Sequence, residues 1–296
     1  MSAESVLQIL VYGIIMGALY GLAAAGFTLV FGVMKVLNIA HGAFMMLGGY
    51  LSFWAFTLYH VDPFISLLFV GPILFLVGLI FYIVQVHPVI RFTDEHDKIH
   101  ASLLISFGLS VILEQVAMML WTGDVRSITP SYSGAVVVLL GIRVPVVGVA
   151  GIGLAVAAVL GLYLFLAKTR FGRSVRATSA DWRSATLMGV NIHWTYLISF
   201  ATGVALAGIA GTLVCVVHSI EPGMGLFWTL KGMVIITVAG VGSIRGVLAC
   251  GLLLGLVESI SVFAVGASYR EVVGLVALVL ILMVKPKGLF TTAKRV

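Results

Sequence analysis

The chain has 296 residues, of which 61% are hydrophobic and only 9% charged; its formal net charge is +6 and its mean hydropathy +1.19. A water-soluble domain carries about 25% charged residues, so this chain cannot cover a water-facing surface and belongs in lipid. No polar stretch is long enough for a second, soluble domain, and residues 1–296 read as one transmembrane domain.

A helix crosses a bilayer with about 20 apolar residues. The apolar runs predict an all-α polytopic protein with about nine spans (eight to ten), at roughly 6–33, 42–60, 63–86, 99–121, 145–167, 193–218, 226–241, 246–266 and 270–285. The seventh and ninth are short enough to be tilted, partial or re-entrant. Ser2 to Tyr12 has no basic region and no cleavage site, which predicts no removable signal peptide.

The first span contains "GIIMGALYGLAAAG", in which Gly13, Gly17 and Gly21 recur every fourth residue and Ala25 continues the row. Such a row forms a groove where another helix backbone approaches closely. Next comes "VLNIAHGAFMML", with Asn38, His41 and Gly42 inside an apolar context. Asn38 and His41 are three apart and share a helix face, and a Gly weakens a helix by about 1 kcal/mol. One reading is a broken helix whose Asn and His serve the freed backbone groups and line a substrate path. The other is an interfacial turn at the headgroups. One His with one Asn is too few ligands for a metal.

Glu114, in the fourth span, and Glu258, in the eighth, are the carboxylates well inside predicted spans, each without an obvious partner. The loop over about 168–192, "KTRFGRSVRATSADWRSATLMGVN" and one residue beyond, is basic. Ser179 is placed to cap a short helix with Asp181 in its first turn. Trp182, Ala185 and Gly189 then share one side, Arg183 and Leu187 another, and Gly189 with Asn191 ends it. That helix either presses its small face into another protein or lies on the lipid surface. The sixth span repeats the small-residue device in "GVALAGIAG", with Gly203, Ala207 and Gly211, and the eighth does so with Gly251 and Gly255. His218 and Lys231 flank the break between the sixth and seventh spans and are candidates for an anionic group. Segments one–two and six–seven share an outline, a glycine-stepped span, a polar break and a new helix, which is the arrangement of inverted repeats.

With nine spans and the N-terminus outside, 13 of the 17 basic residues fall in the cytoplasm, so the positive-inside rule predicts N-out and C-in. The positive charge is then a membrane-topology bias, not a nucleic-acid footprint. Cys215 and Cys250 read as small apolar residues, not a disulfide or metal pair. No nucleophile, base and orienting group come together in the pattern, so no enzyme, cofactor or metal is expected.

"GLAAAGFTLVFGVMKVLNIAHGAFMMLGGYLSF", "RFGRSVRATSADWRSATLMGVN" and "LKGMVIITVAGVGSIRGVLACGLLLGLVES", in this order, strongly resemble three blocks of the permease subunits of branched-chain amino acid ABC importers, LivH type. The resemblance implies a bacterial inner-membrane permease that pairs with a second, similar permease subunit. It implies two cytoplasmic ATPase subunits and a periplasmic substrate-binding protein; the chain carries no G-x-x-x-x-G-K-[ST] loop of its own. Asn38, His41 and Gly42, with Met45 beside them, fall on the first signature and would line the substrate pathway. Asp181, Ala185, Leu187, Met188 and Gly189, with Trp182, fall on the ATPase-coupling loop. Relatives of this permease type carry urea, short amides or aromatic acids, and no residue here excludes those. An ion-coupled secondary transporter is the rival class, since it needs intramembrane ionisable groups in its path.

Overall fold

The structure is a computed structural model that describes residues 3–91, 94–139, 142–240, 242–285 and 288–290. In chain order it contains α1 (Ala3–Met34), α2 (His41–Tyr59), α3 (Pro63–Phe81), which runs into a π turn at Tyr82–Val86, and α4 (Glu95–Trp121). A two-stranded hairpin follows, β1 (Val136–Leu139) with β2 (Ile142–Pro145), and then α5 (Val146–Lys168), α6 (Arg170–Ala180) and α7 (Trp182–Leu187). The chain continues through α8 (Ile192–Val217), α9 (Met224–Ala239), α10 (Ile244–Val265) and α11 (Arg270–Val284).

Among the described residues, six helices are long and apolar enough to cross a membrane: α1, α3 with its π turn, α4, α5, α8 and α10. The other three expected spans appear as α2, α9 and α11, of 19, 16 and 15 residues. At 1.5 Å per residue the last two reach about 23–24 Å, short of a hydrocarbon core of about 30 Å. The hairpin is absent from the sequence expectation. Its β-branched residues Val136, Val137 and Val138 pair with Pro145, Val144 and Arg143 in antiparallel register, and such residues favour a pleated strand. Gln8 of α1 pins it, donating to Arg143 O at 2.7 Å and accepting from Arg143 N at 3.1 Å.

Two helices form the centre. The spanning windows of α1 and α8 are 89% and 78% buried, whereas those of α3, α4 and α5 are below 30%. The outer helices show Leu68, Leu76, Ile80, Leu104 and Met119 on their free faces, as lipid or a partner helix requires. Small residues set the central approach. A Cβ on Gly17 would meet Leu252 Cα at 2.6 Å, and one on Gly255 would meet Gly13 O at 2.3 Å, so the glycine rows of α1 and α10 face each other. Gly203 of α8 lies against Gly26 of α1, Gly211 against the Met45 carbonyl of α2, and Ala207 between them is fully buried. The contacts repeat under an exchange of α1–α2–α3 with α8–α9–α10. The partner of α1 is α10 and that of α8 is α3; α2 packs on α8 as α9 packs on α1.

The connections gather at two ends. One end holds the hairpin, Tyr132 bonded to Asp62 at 2.5 Å, and a bridge in which Arg126 and Ile220 exchange both backbone bonds. The other holds Lys35, α6, α7 and the segment 288–290, whose Leu289 N donates to Val238 O. Neither α2 nor α9 starts at an end. His41 Nε2 lies 3.0 Å from Ala23 O, which places the start of α2 level with the middle of α1. A Cβ on Gly42 would lie 1.8 Å from Gly225 O, so the first turns of α2 and α9 meet there. Each helix is preceded by a non-helical stretch, 35–40 or 218–223, that leads the chain back from an end toward the interior. The full crossing expected at 42–60 is therefore replaced by a helix that starts mid-depth.

Candidate functional site

The first break is a buried polar cluster. Asn38, His41 and Met45 are each no more than 1% exposed, and Gly42 is buried. The expectation that Asn38 and His41 serve the freed backbone needs correction. Leu37 N donates to Ser102 Oγ at 3.2 Å and Ile39 N to Ser106 Oγ at 3.0 Å, both on α4. Gly42 N donates to Thr229 Oγ1 of α9 at 2.8 Å, and that hydroxyl donates on to Ile39 O. His41 instead bonds a carbonyl inside α1; since a carbonyl only accepts, Nε2 carries the proton. Asn38 Oδ1 accepts from Gln85 Nε2 at 2.7 Å. Gln85 sits in the π turn after α3, a distortion that often marks functional sites. It was missed, although a lone amide in "FYIVQV" was its signal. None of Asn38, His41, Gly42 and Met45 lines either of the two cavities described below.

The second break opens on charge. Glu258, which had no evident partner in sequence, accepts from Lys231 Nζ at 2.8 Å, from Arg270 Nε at 3.0 Å and from the Tyr20 hydroxyl at 2.7 Å. The Tyr20 oxygen in turn accepts from Lys231 Nζ at 2.9 Å and Arg270 Nη2 at 3.0 Å. The Lys231 ammonium lies 4.4 Å from the Tyr20 ring centre and 4.5 Å from that of Phe227, an arrangement in which ring quadrupoles stabilise a desolvated cation. The cluster ties α1, α9, α10 and α11 together. Above it is a cavity of about 410 Å³ lined by Met16, Trp228, His218, Lys231, Arg270 and Glu271 among others. Glu114 does not join this network; its Oε1 lies 3.7 Å from where a Gly223 Cβ would stand.

At the opposite end, the basic loop folds into two helices. Thr169 caps α6 by accepting from Gly172 N at 3.0 Å. Asp181, not Ser179, caps α7, accepting from Arg183 N at 3.0 Å and from the Ser184 hydroxyl at 2.5 Å. Ser179 lies in the last turn of α6 and donates to Arg176 O. The Asp side chain wins because only it stands where the chain turns extended, at φ −158° and ψ 108°. The Ser184 hydroxyl, and then Arg183 N–H, hold the Asp181 carboxyl below its ordinary value of 3.8. The cap is thus complete above 3.8 and is lost as pH falls through the lower folded value. Gly189 ends α7 at φ +82°. Gly189 N donates to Thr186 O and Val190 N to Ala185 O, the two bonds of a Schellman stop. Asn191 does not end α7; it caps α8 by accepting from Trp194 N.

The side of α7 left free also differs from expectation. Ala185 is buried against its own chain at 5% exposure, while Leu187 and Met188 are 88% and 85% exposed and Trp182 half-exposed. Between α7 and the ends of α1 and α8 lies a cavity of about 830 Å³ lined by Lys35, Lys98, Asp181, Trp182 and Tyr196 among others.

Residues 9–284 match the family model described as branched-chain amino acid transport system / permease component. The high-affinity branched-chain amino acid transport system permease protein BraD of Pseudomonas aeruginosa is 28% identical over 96% of this chain and 95% of its own. The LivH permease of the same description from Escherichia coli K12 is 28% identical over 96% and 94%. The probable LivH permease of Methanocaldococcus jannaschii is 26% identical over 95% and 91%. Among solved structures, PsaBC from Streptococcus pneumoniae in complex with Fab aligns over 95% of this chain and 92% of that one, at 12% identity and a TM-score of 0.46.

Proposed function

Because this chain belongs to the family of branched-chain amino acid transport permease components, we propose that it is the permease subunit of an ATP-driven, binding-protein-dependent importer of branched-chain, hydrophobic amino acids. The observation that carries this reading is a family match that runs through every helix from α1 to α11. Supporting it, the broken helices α2 and α9 meet mid-depth, as they do in many transporters that pass solutes between half-helices. The pathway starts at the second break and passes the seam at Gly42, Met45 and Gly225, with Asn38 and His41 holding the first break rigid.

The end bearing Lys35, Lys98, the five basic residues of 168–183 and Arg245 is the cytoplasmic one, by the excess of Lys and Arg in cytoplasmic loops. The N-terminus is then periplasmic and the C-terminus cytoplasmic. On the cytoplasmic end α7 offers Leu187, Met188 and Trp182 to one of two ATPase subunits, with Asp181 and Gly189 fixing its ends. A second permease subunit covers part of the apolar outer face. A single transmembrane domain, 1–296, performs this role.

The test is uptake of labelled leucine in cells carrying the full system. Uptake should fall when ATP is depleted and when the binding protein is removed, and should survive an uncoupler added with ATP maintained. Dependence on an ion gradient alone would sink the reading. Competition by urea, a short amide or an aromatic acid, with no competition by valine or isoleucine, would move the substrate to another class.

A further inference from the structure

The Lys231–Glu258–Arg270 cluster holds more positive charge than its own architecture requires. One carboxylate is shared by two cations, and a neutral pair would join the same helices at a lower desolvation cost. The side chains of Lys231 and Glu258 are 8% and 1% exposed, and that of Arg270 is 18%. Arg270 has five N–H donors; its bonds to Glu258 and Tyr20 engage two of its nitrogens. Among the described residues no other carboxylate lies within 4 Å of either cation.

This excess charge faces a cavity of about 410 Å³, within the range of roughly 300–1,000 Å³ typical of small-ligand sites. The cavity is bipolar. Lys231 and Arg270 line it from the buried cluster, whereas Glu221 and Glu271 line it from exposed positions. Met16, Met224, Phe227 and Trp228 give it apolar lining as well. Tyr20, at the inner cluster, is twelve residues along α1 from Gln8, about 18 Å at helical rise. The cavity, lined by Tyr20, Gly223 and Met224, therefore lies at the depth of the start of α9.

We propose that this cavity is the entry subsite for a free zwitterionic amino acid, which takes its carboxylate on Arg270 and Lys231, its ammonium on rim Glu221 and Glu271, and its side chain on the Met16–Trp228 wall. The assignment rests on the import reading above and adds to it a location and a recognition chemistry. The bound carboxylate adds a second anion in direct contact with the two cations, which among the described residues have only Glu258 within 4 Å. Residence is brief, because Glu258 already competes for the same donors, which suits a site that must pass its ligand on.

Ser219 lines the cavity, and the native cysteines Cys215 and Cys250 are buried. The full chain carrying Ser219→Cys, in its own membrane and without binding protein, is treated with a small membrane-impermeant thiol reagent. The unsubstituted chain provides the blank. L-leucine should slow the modification. Isocaproate, which lacks the ammonium, and isoamylamine, which lacks the carboxylate, should each need about tenfold higher concentration for equal protection, the effect of one lost charge-assisted contact. Adding Glu221→Gln with Glu271→Gln, both at exposed positions that leave the buried cluster intact, should remove the advantage of leucine over isocaproate. Equal protection by all three compounds, protection by none, or an advantage that survives the two rim substitutions would each overturn the subsite. Leucine uptake by cells with the unsubstituted chain is scored separately. Normal uptake without protection overturns the subsite alone, whereas absent uptake overturns the import reading itself.

Discussion

The two breaks, 35–40 and 218–223, have the same design and opposite chemistry. In each, a long central helix stops, the chain turns back inside, and a new helix begins where Gly42 meets Gly225. The first break is closed by neutral groups, with Ser102, Ser106 and Thr229 bonded to Leu37, Ile39 and Gly42. The second faces a cavity and a buried cluster of Lys231, Glu258 and Arg270. A backbone freed in a low-dielectric interior must find partners, and hydroxyls on neighbouring helices suffice for that. Buried charges cost far more and are unnecessary for closing a break. Equal architecture with unequal charge therefore separates a break closed by neutral groups from one that faces a charged cavity.

The largest effect should come from breaking the charged side. Glu258→Leu leaves Lys231 and Arg270 without their anion, and loss of one partner of a buried pair costs about 3–5 kcal/mol. A thermal melt of the purified chain should show a large drop in Tm, part of which returns when Lys231→Met is added. The seam between the breaks comes next. Gly42→Ala pushes a Cβ to 1.8 Å from Gly225 O, and backbone can move only as a whole helix. We expect a loss near 3 kcal/mol, the upper part of the range for overpacking, in the same melt. An unchanged Tm would mean that the two helix starts do not touch.

On the neutral side, Thr229→Val removes one hydroxyl from three backbone partners, Gly42 N, Ile39 O and Gly225 O. Leaving a buried donor unpaired costs about 1–3 kcal/mol, so the drop should be smaller than for Glu258→Leu. A larger drop would reverse the comparison. Leu187→Ser with Met188→Ser lies outside both breaks and should change stability by no more than about 0.5 kcal/mol, as exposed positions do. It should nevertheless reduce recovery of the ATPase subunits in a detergent pull-down. Ala185→Asp is the contrasting variant: because Ala185 is buried in its own chain, it should destabilise the permease before it affects any partner.

Much of this fold was legible because lipid makes the code simple. Apolar runs place the helices, and glycine every fourth residue marks where α1 and α10 close on each other. Termini were less clear. Ser179 and Asp181 are both good caps by type, and the choice between them depends on which one the chain leaves in an extended conformation. Depth was hidden too, since "VLNIAHG" reads the same at a headgroup or beside Ala23, and only the packing of Thr229 and Gly225 places it. The charged cluster was the least legible part. Lys231 and Glu258 were visible as unusual and Arg270 was not, while Tyr20 lies 238 residues from Glu258 in sequence, and no local pattern reports such a pairing. The hairpin over 136–145 was overlooked because its Val-rich strands blend into the apolar run of α5.

The contrast between a sealed break and an open one is tested most directly by comparing a single cysteine in each. Ala40→Cys places a thiol at a fully buried position of the first break, and Ser219→Cys places one in the cavity of the second. Intact cells and inverted vesicles are exposed to the same membrane-impermeant reagent, and modification is read by mass. The account predicts rapid labelling of Ser219→Cys from the outer face of intact cells, and none of Ala40→Cys from either face. Labelling of Ala40→Cys at a rate equal to or above that of Ser219→Cys, or labelling of Ser219→Cys only in inverted vesicles, would contradict it.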